Sequence, residues 1–317
     1  MRLADAQANF RSGDPRSSRF ILAAILIVAA LALSVVPATA SSGGLRFGQG
    51  VLWQLDRDGV PSSYLFGTIH VSDERVLDLP EPVDAAFAQA NSTSFEIILT
   101  SEHQARFARN MVLTDGRTLE AILGPDLFQK AASKAARYGL TPEILKLFKP
   151  WALVPIFSYP PDQLARITAG NLPLDQWLQS EADRLGKPVH ALETFDEQLS
   201  LFTGMREADQ VDMVRALVED SLSVEARFNQ TLRLYLDRDI GGIHDQMLEQ
   251  TSAADRELAD VFQQDFIVAR NYRMVERMAG RLSEGKAFIA VGALHLPGDE
   301  GILNLLQRDG YRITRLY

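Results

Sequence analysis

Two histidines close short, matching patterns near the two ends of the chain, Gly67-Thr68-Ile69-His70 and Gly292-Ala293-Leu294-His295. A neutral imidazole can bind a first-row metal ion, and its protonation changes near neutral pH, so it can also carry a proton. Each pattern follows an apolar run that reads as a strand, Tyr64-Leu65-Phe66 or Ala287-Phe288-Ile289-Ala290-Val291. Glycine lets the backbone turn where such a strand stops, and the next residues stand at its carboxyl edge, where open α/β sheets place their chemistry. Either histidine alone could be a strand cap bonded to nearby backbone. The repeated context favours two imidazoles converging on one site across 225 positions.

A third candidate is Glu96, inside the otherwise apolar Phe95-Glu96-Ile97-Ile98-Leu99. A carboxylate buried there must be paired, protonated or bound to a cation. The alternative is a wet face of an edge strand, shared with Ser94. His70, Glu96 and His295 together suit a divalent metal that activates water, or a metal-free site where one histidine takes a proton from water. Arg270, beside Asn271, could hold a substrate carboxylate or an oxyanion, or could join a helix to the sheet by a salt bridge. Glu193 reads as a helix cap, with a further ligand as the alternative, and Asp299 and Glu300 read as acidic residues opening the last helix. His103, His190 and His244 lack the Gly-strand context. Trp53, Trp151 and Trp177 read as packing. No Gly-x-Ser-x-Gly elbow and no phosphate-cradling glycine loop occurs.

The elements that would position these residues cluster at both ends of the chain. Val51–Leu55 and Ser63–His70 read as a hairpin across Asp56-Arg57-Asp58-Gly59. Thr93–Leu99, Lys187–Leu192, Lys286–Val291 and Tyr311–Leu316 read as further strands, with a helix over Gly301–Asp309. Helical spacing dominates 101–183 and 197–282, including a long amphipathic run from Ala253 to Arg281. The expected fold class is α/β. A central mixed sheet is built from N- and C-terminal segments and flanked by helices, with a large helical insertion inside a domain of residues 41–317.

Arg2, Arg11, Arg16 and Arg19 precede an apolar stretch over 20–36, followed by Pro37 and Ala38-Thr39-Ala40. Residues 1–40 therefore read as a signal peptide cleaved after Ala40, or as an N-terminal membrane anchor. The body is expected in the periplasm or secreted, or else held at the inner membrane and facing outward. The chain has no cysteine, which excludes disulfides, thiolate ligands and a cysteine nucleophile. The leader holds four Arg against two Asp, so a net charge of −9 leaves the remainder at about −11. Nothing in that balance favours nucleic acid as a partner.

Tyr64–His70 and Ala290–Gly298 closely resemble the paired motifs of the TraB/GumN family, related to the Tiki metalloproteases and distantly to erythromycin esterases and haem-binding ChaN proteins. Lys149-Pro150-Trp151, Asp175-Gln176-Trp177-Leu178, Gly186-Lys187-Pro188-Val189, Leu192-Glu193-Thr194 and Arg270-Asn271 match in order between them, and the resemblance covers about 45–317. It implies an α/β fold and an exported metal-dependent hydrolase, peptidase-like, with Mn, Co or Zn held by His70, Glu96 and His295. The substrate would be a peptide or a small molecule. The haem-binding relatives imply a second reading, a non-catalytic ligand-binding or interaction protein of the same fold. One departure stands out: Leu294 occupies a position where the family commonly has Gly, which would narrow the site.

Overall fold

The computed structural model describes residues 44–220, 222–252, 260 and 262–317. The leader expected over 1–40 lies outside the described residues. Among those described, no helix is long and apolar enough to cross a membrane.

Six strands form one mixed sheet: β1 Leu52–Arg57, β2 Val60–Thr68, β3 Ser92–Phe95, β4 Val189–Ala191, β5 Ala287–Gly292 and β6 Arg312–Arg315. Their spatial order is β4-β3-β5-β2-β1-β6. The β1–β2 hairpin is antiparallel, and β6 pairs antiparallel to β1. β2, β5, β3 and β4 run parallel to one another. The α/β class, with a sheet assembled from both ends of the chain, is therefore what forms. β5 is an uninterrupted apolar run because it lies between two parallel neighbours and is covered on both faces. Phe288 at its centre is fully buried, edge-to-face with Phe87 and tilted against Phe66. Its burial contributes roughly 1.5–3 kcal/mol.

The parallel register decides where the chemistry sits. Thr68 pairs with Gly292 and Phe95 with Ala290, so β2, β5 and β3 all end at one edge of the sheet. The chain leaves that edge toward His70, His295 and Glu96.

Between the strands lie two buried apolar clusters. One joins the sheet to the helices Glu81–Gln89, Leu174–Arg184 and Ala269–Glu284. The other is mostly helical, drawn from 107–157 and 195–267. Leu294 packs against both.

Two expectations need correction. The third strand stops at Phe95 instead of running to Leu99, because Glu96 turns into contacts with the end of β5 and with Arg270, while Ile97 and Leu99 pack on the helical cluster. The amphipathic run from Ala253 is not one regular helix. Residues 253–259 and 261 lie outside the described residues, Phe262–Val268 is π-helical, and a regular helix begins at Ala269. The wider turn falls just before Arg270, in keeping with the tendency of π-helical turns to occur beside functional groups.

Candidate active site

Gly292 is the centre of the arrangement. A Cβ added there would lie 3.1 Å from Glu96 Oε1, 3.6 Å from His295 Cδ2 and 3.9 Å from His70 Nε2. Three side chains from distant segments thus surround one point, and the bare backbone of Gly292 leaves room for them. Gly67, the first motif's glycine, has another task. A Cβ there would meet Ala293 Cα at 3.2 Å and Leu296 Cδ2 at 3.1 Å, so it permits close packing behind the site.

Each imidazole is held through Nδ1. Asn271 Nδ2 donates to the Glu300 carbonyl at 2.8 Å, which turns its Oδ1 toward His295 Nδ1, 2.6 Å away. His295 Nδ1 is therefore the donor and Nε2 carries the lone pair, 3.7 Å from Glu96 Oε1. His70 Nδ1 lies 2.9 Å from Asp175 Oδ1, at ion-pair distance but out of line for a straight hydrogen bond. Its backbone carbonyl accepts from the Tyr159 hydroxyl at 3.0 Å.

Their surroundings make the two histidines differ. Burial pushes the pKa of His295 down to about 4, and the nearby Arg270 cation acts in the same direction. Burial also pulls on His70, but the Asp175 carboxylate outweighs it and the pKa is raised.

Glu96 accepts from the Gly292 N–H at 2.6 Å and from Arg270 Nη2 at 2.6 Å. Burial works against its charge, yet Arg270, both histidines and the Gly292 N–H hold the carboxyl well below the usual range. Its neighbour across the strand ends is Glu193, whose N–H donates to the Glu96 carbonyl at 2.7 Å. Two buried carboxylates side by side would repel. Arg270, itself 1% exposed, lies between them and donates to both. Arg273 and Gln198 also donate to Glu193.

The structure decides between the alternatives for Arg270 and Glu96 and corrects the readings of Glu193, Asp299 and Glu300. Arg270 forms the salt bridge of helix to sheet and is not free to clamp a substrate carboxylate, because its Nε and Nη2 face carboxylates and Nη1 donates to the Phe266 carbonyl. Glu193 is not a cap. Thr194 caps the next helix in a capping box with Glu197, and Glu193 is the buried counter-charge of Arg270 and Arg273. Asp299 and Glu300 precede the last helix instead of opening it, since Gly301 is its N-cap. The Glu96 carboxylate is likewise not on a wet strand face, and Ser94 is fully buried.

His70, Glu96, Arg270 and His295 all line one cleft that opens to solvent. Leu294 is in its wall. His103 bonds the Ile98 carbonyl and stacks on Phe195, outside this lining. His190 and His244 do not line it either. Asp175, which lies in the Asp-Gln-Trp-Leu match, and Tyr159 and Gln198 carry no signal in the sequence for the contacts they make here.

The donor set fits a divalent ion in part. His295 Nδ1 is hydrogen-bonded and His70 Nδ1 lies beside a carboxylate, the usual way a ligand histidine is oriented, and His70 Nε2 faces the Gly292 point. The expected third ligand, Glu96, is instead committed to Arg270 and Gly292. Among the described residues, no group of three or more His, Cys, Asp or Glu side chains is arranged to hold a metal ion.

A family model described as the TraB/PrgY/gumN family matches residues 51–315. The chain belongs to the TraB/PrgY/gumN family. It is 27% identical to Metalloprotease TIKI1 of Xenopus tropicalis, over 83% of this chain and 60% of that protein. To Metalloprotease TIKI2 of Danio rerio it is 26% identical, covering 83% and 60%. Metalloprotease TIKI1 of Homo sapiens is 25% identical, covering 83% and 61%. The chain thus spans about 60% of the length of these curated relatives. No solved structure matches.

Proposed function

We propose that this TraB/PrgY/gumN protein is an exported hydrolase of peptide bonds working at the end of β2, β5 and β3. The observation that carries the reading is the convergence of His70, Glu96 and His295 on the Gly292 point in the wall of an open cleft. The relatives' printed name, metalloprotease, supports the substrate class and a metal. Export rests on the arginines, apolar stretch and Ala38-Thr39-Ala40 of the leader.

His295 Nε2 takes a proton from water as its oxygen bonds to the scissile carbonyl carbon. Asn271 stabilises the resulting imidazolium through Nδ1–H, as an orienting acceptor does in other acid–base pairs. When the C–N bond breaks, His70 gives its proton to the leaving amine, and Asp175 favours its protonated form. Water is consumed, one carboxylic acid and one amine form, and the proton taken at His295 replaces the one lost at His70. Glu96 stays ionised and serves as fixed negative charge beside the imidazoles, so it is not the base. Arg270 positions Glu96. A divalent ion such as Mn, Co or Zn would be held by the Nε2 lone pairs of His70 and His295, which would then be ligands in place of acid and base, and it would polarise the carbonyl and the water.

The test is cleavage of a peptide library by the full chain, with Mn, Co and Zn supplied separately. The wild type cleaves, and His70→Ala, His295→Ala and Glu96→Gln each fall on the order of 10²–10⁴-fold while keeping their fold. Undiminished cleavage by the folded histidine variants, or none by the wild type with any metal, overturns the reading.

A further inference from the structure

The cleft has a second charged end that the reaction does not use. Beyond the reacting groups its walls are chiefly apolar, with Phe157, Leu217, Val224, Phe228, Ile243 and Ile267 among them. Three charged side chains also line it: Lys134, Asp220 and Arg227. Asp220 and Arg227 neutralise one another through two hydrogen bonds, Nε to Oδ2 and Nη2 to Oδ1, and both side chains are more than nine-tenths buried. Lys134 is left over. Its Nζ donates to the Leu217 carbonyl at 2.5 Å and lies 5.5 Å from the centre of the Phe157 ring. Among the described residues it makes no ion pair. An ammonium carries three donors, and only one has a partner here.

This cation is separate from the reacting groups. The charges that act most strongly on Lys134 include Asp220, Arg137, Glu225 and Arg227, none of them from the histidine site. The wall between the two ends can be followed along the chain. Phe157 lies under Lys134, Ser158 comes next, and Tyr159 bonds the His70 carbonyl. The cleft thus joins a reacting end, an apolar body and a half-buried ammonium with donors to spare. An extended molecule with apolar side chains and one carboxylate complements all three.

We propose that Lys134 is a specificity-determining residue that binds the carboxyl terminus of a peptide whose last residues are apolar. Those side chains lie along the apolar wall, and the scissile carbonyl sits at His70 and His295. The substrate is then recognised from its free carboxyl end. This rests on the peptide-hydrolase reading of the same cleft, so its test reads binding apart from turnover.

Peptides ending in several Leu and Phe residues, labelled at the amino end, are titrated by fluorescence anisotropy into the full-length His70→Ala/His295→Ala protein. Each is used as free acid and as carboxyl amide. The acid binds about tenfold or more tighter than the amide, as expected for a charge-assisted contact. Lys134→Met removes that preference, while Lys134→Arg retains part of it and shows by circular dichroism that the helix tolerates change. Equal binding of acid and amide overturns the proposal. So does binding of decanoate, read by calorimetry, with no binding of either peptide, which assigns the cleft to lipid-like carboxylates. Acid-selective binding without cleavage by the wild type sinks the hydrolase reading alone. Cleavage of acid and amide at equal rates sinks the role of Lys134 alone.

Discussion

Arg270 Nη2 lies 2.6 Å from Glu96 Oε2, so a carboxylate at the end of β3 is held by a cation from a helix 174 positions later. The same nitrogen is 2.6 Å from Glu193 Oε2. The acid beside the histidines is therefore placed by a charge network, and that network is open to direct test.

Removing Glu193 leaves the buried Arg270 with one carboxylate where it had two. Glu193→Ala is expected to cost about 3–5 kcal/mol, the range for breaking a buried ion pair. Arg270→Lys is expected to destabilise as well, because one ammonium cannot span two carboxylates as the guanidinium fork does. Urea unfolding measures both, and a Glu193→Ala loss below about 1 kcal/mol, the scale of an exposed pair, would contradict the network.

The two motif glycines should fail differently. At Gly292 φ is −53°, so alanine is not strained there, but its methyl enters the space among Glu96, His295 and His70. Gly292→Ala is expected to fold normally and to lose roughly 10²-fold in rate, the scale set by a 1 Å misplacement of reacting groups. Gly67→Ala presses instead on the Ala293 backbone and should lower stability by about 1–3 kcal/mol. Melting temperatures and peptide turnover, measured on both variants, separate the two effects.

Acid should weaken the metal-free protein in a defined window. The pKa of His295 is about 4 when folded and near 6.5 when unfolded, so the unfolded chain binds the proton more readily. Its contribution is complete above pH 6.5 and is lost as pH falls toward 4, by about 3 kcal/mol. The raised pKa of His70 has the opposite sign. That contribution is fully present below 6.5 and is lost only as pH rises through the raised value, so it adds no slope in the acid window. Burial lowers His244 too, which adds in the same direction as His295. Urea titrations in EDTA from pH 7 to 4 should therefore show a shallower fall for His295→Gln, and an unchanged slope would refute the assignment.

Asp175→Asn keeps the size of the side chain and removes the charge beside His70 Nδ1. Turnover, or metal affinity if one binds, should fall by on the order of 10–100-fold, as for other groups that orient a histidine. The pKa of His70, followed by NMR of the ring protons, should fall in the variant. An unmoved pKa would mean that Asp175 does not govern it.

Much of this site was legible in residue types and order. Glycine after an apolar run marks both strand ends, and the parallel pairing of β2, β5 and β3 turns those marks into one place. Glu96 could be singled out because an acid among Phe95, Ile97 and Ile98 needs a partner. Its partner's role was harder to read. A lone Arg in an amphipathic helix looks the same whether it faces substrate or carboxylate, and only the approach of Glu193 to Glu96 decides it. Asp175 and Asn271 were hidden for a related reason, since each acts through the unused nitrogen of a distant ring. The early end of β3 escaped because apolar residues that leave a sheet for a helical core look no different from residues that stay.

Thr68 on β2 is paired with Gly292 on β5, strands separated by most of the polypeptide. A ribosome must therefore finish nearly the whole protein before the two histidine turns can meet. Fragments released early hold only half of the candidate centre. The site is assembled only when the last strands pair with the first.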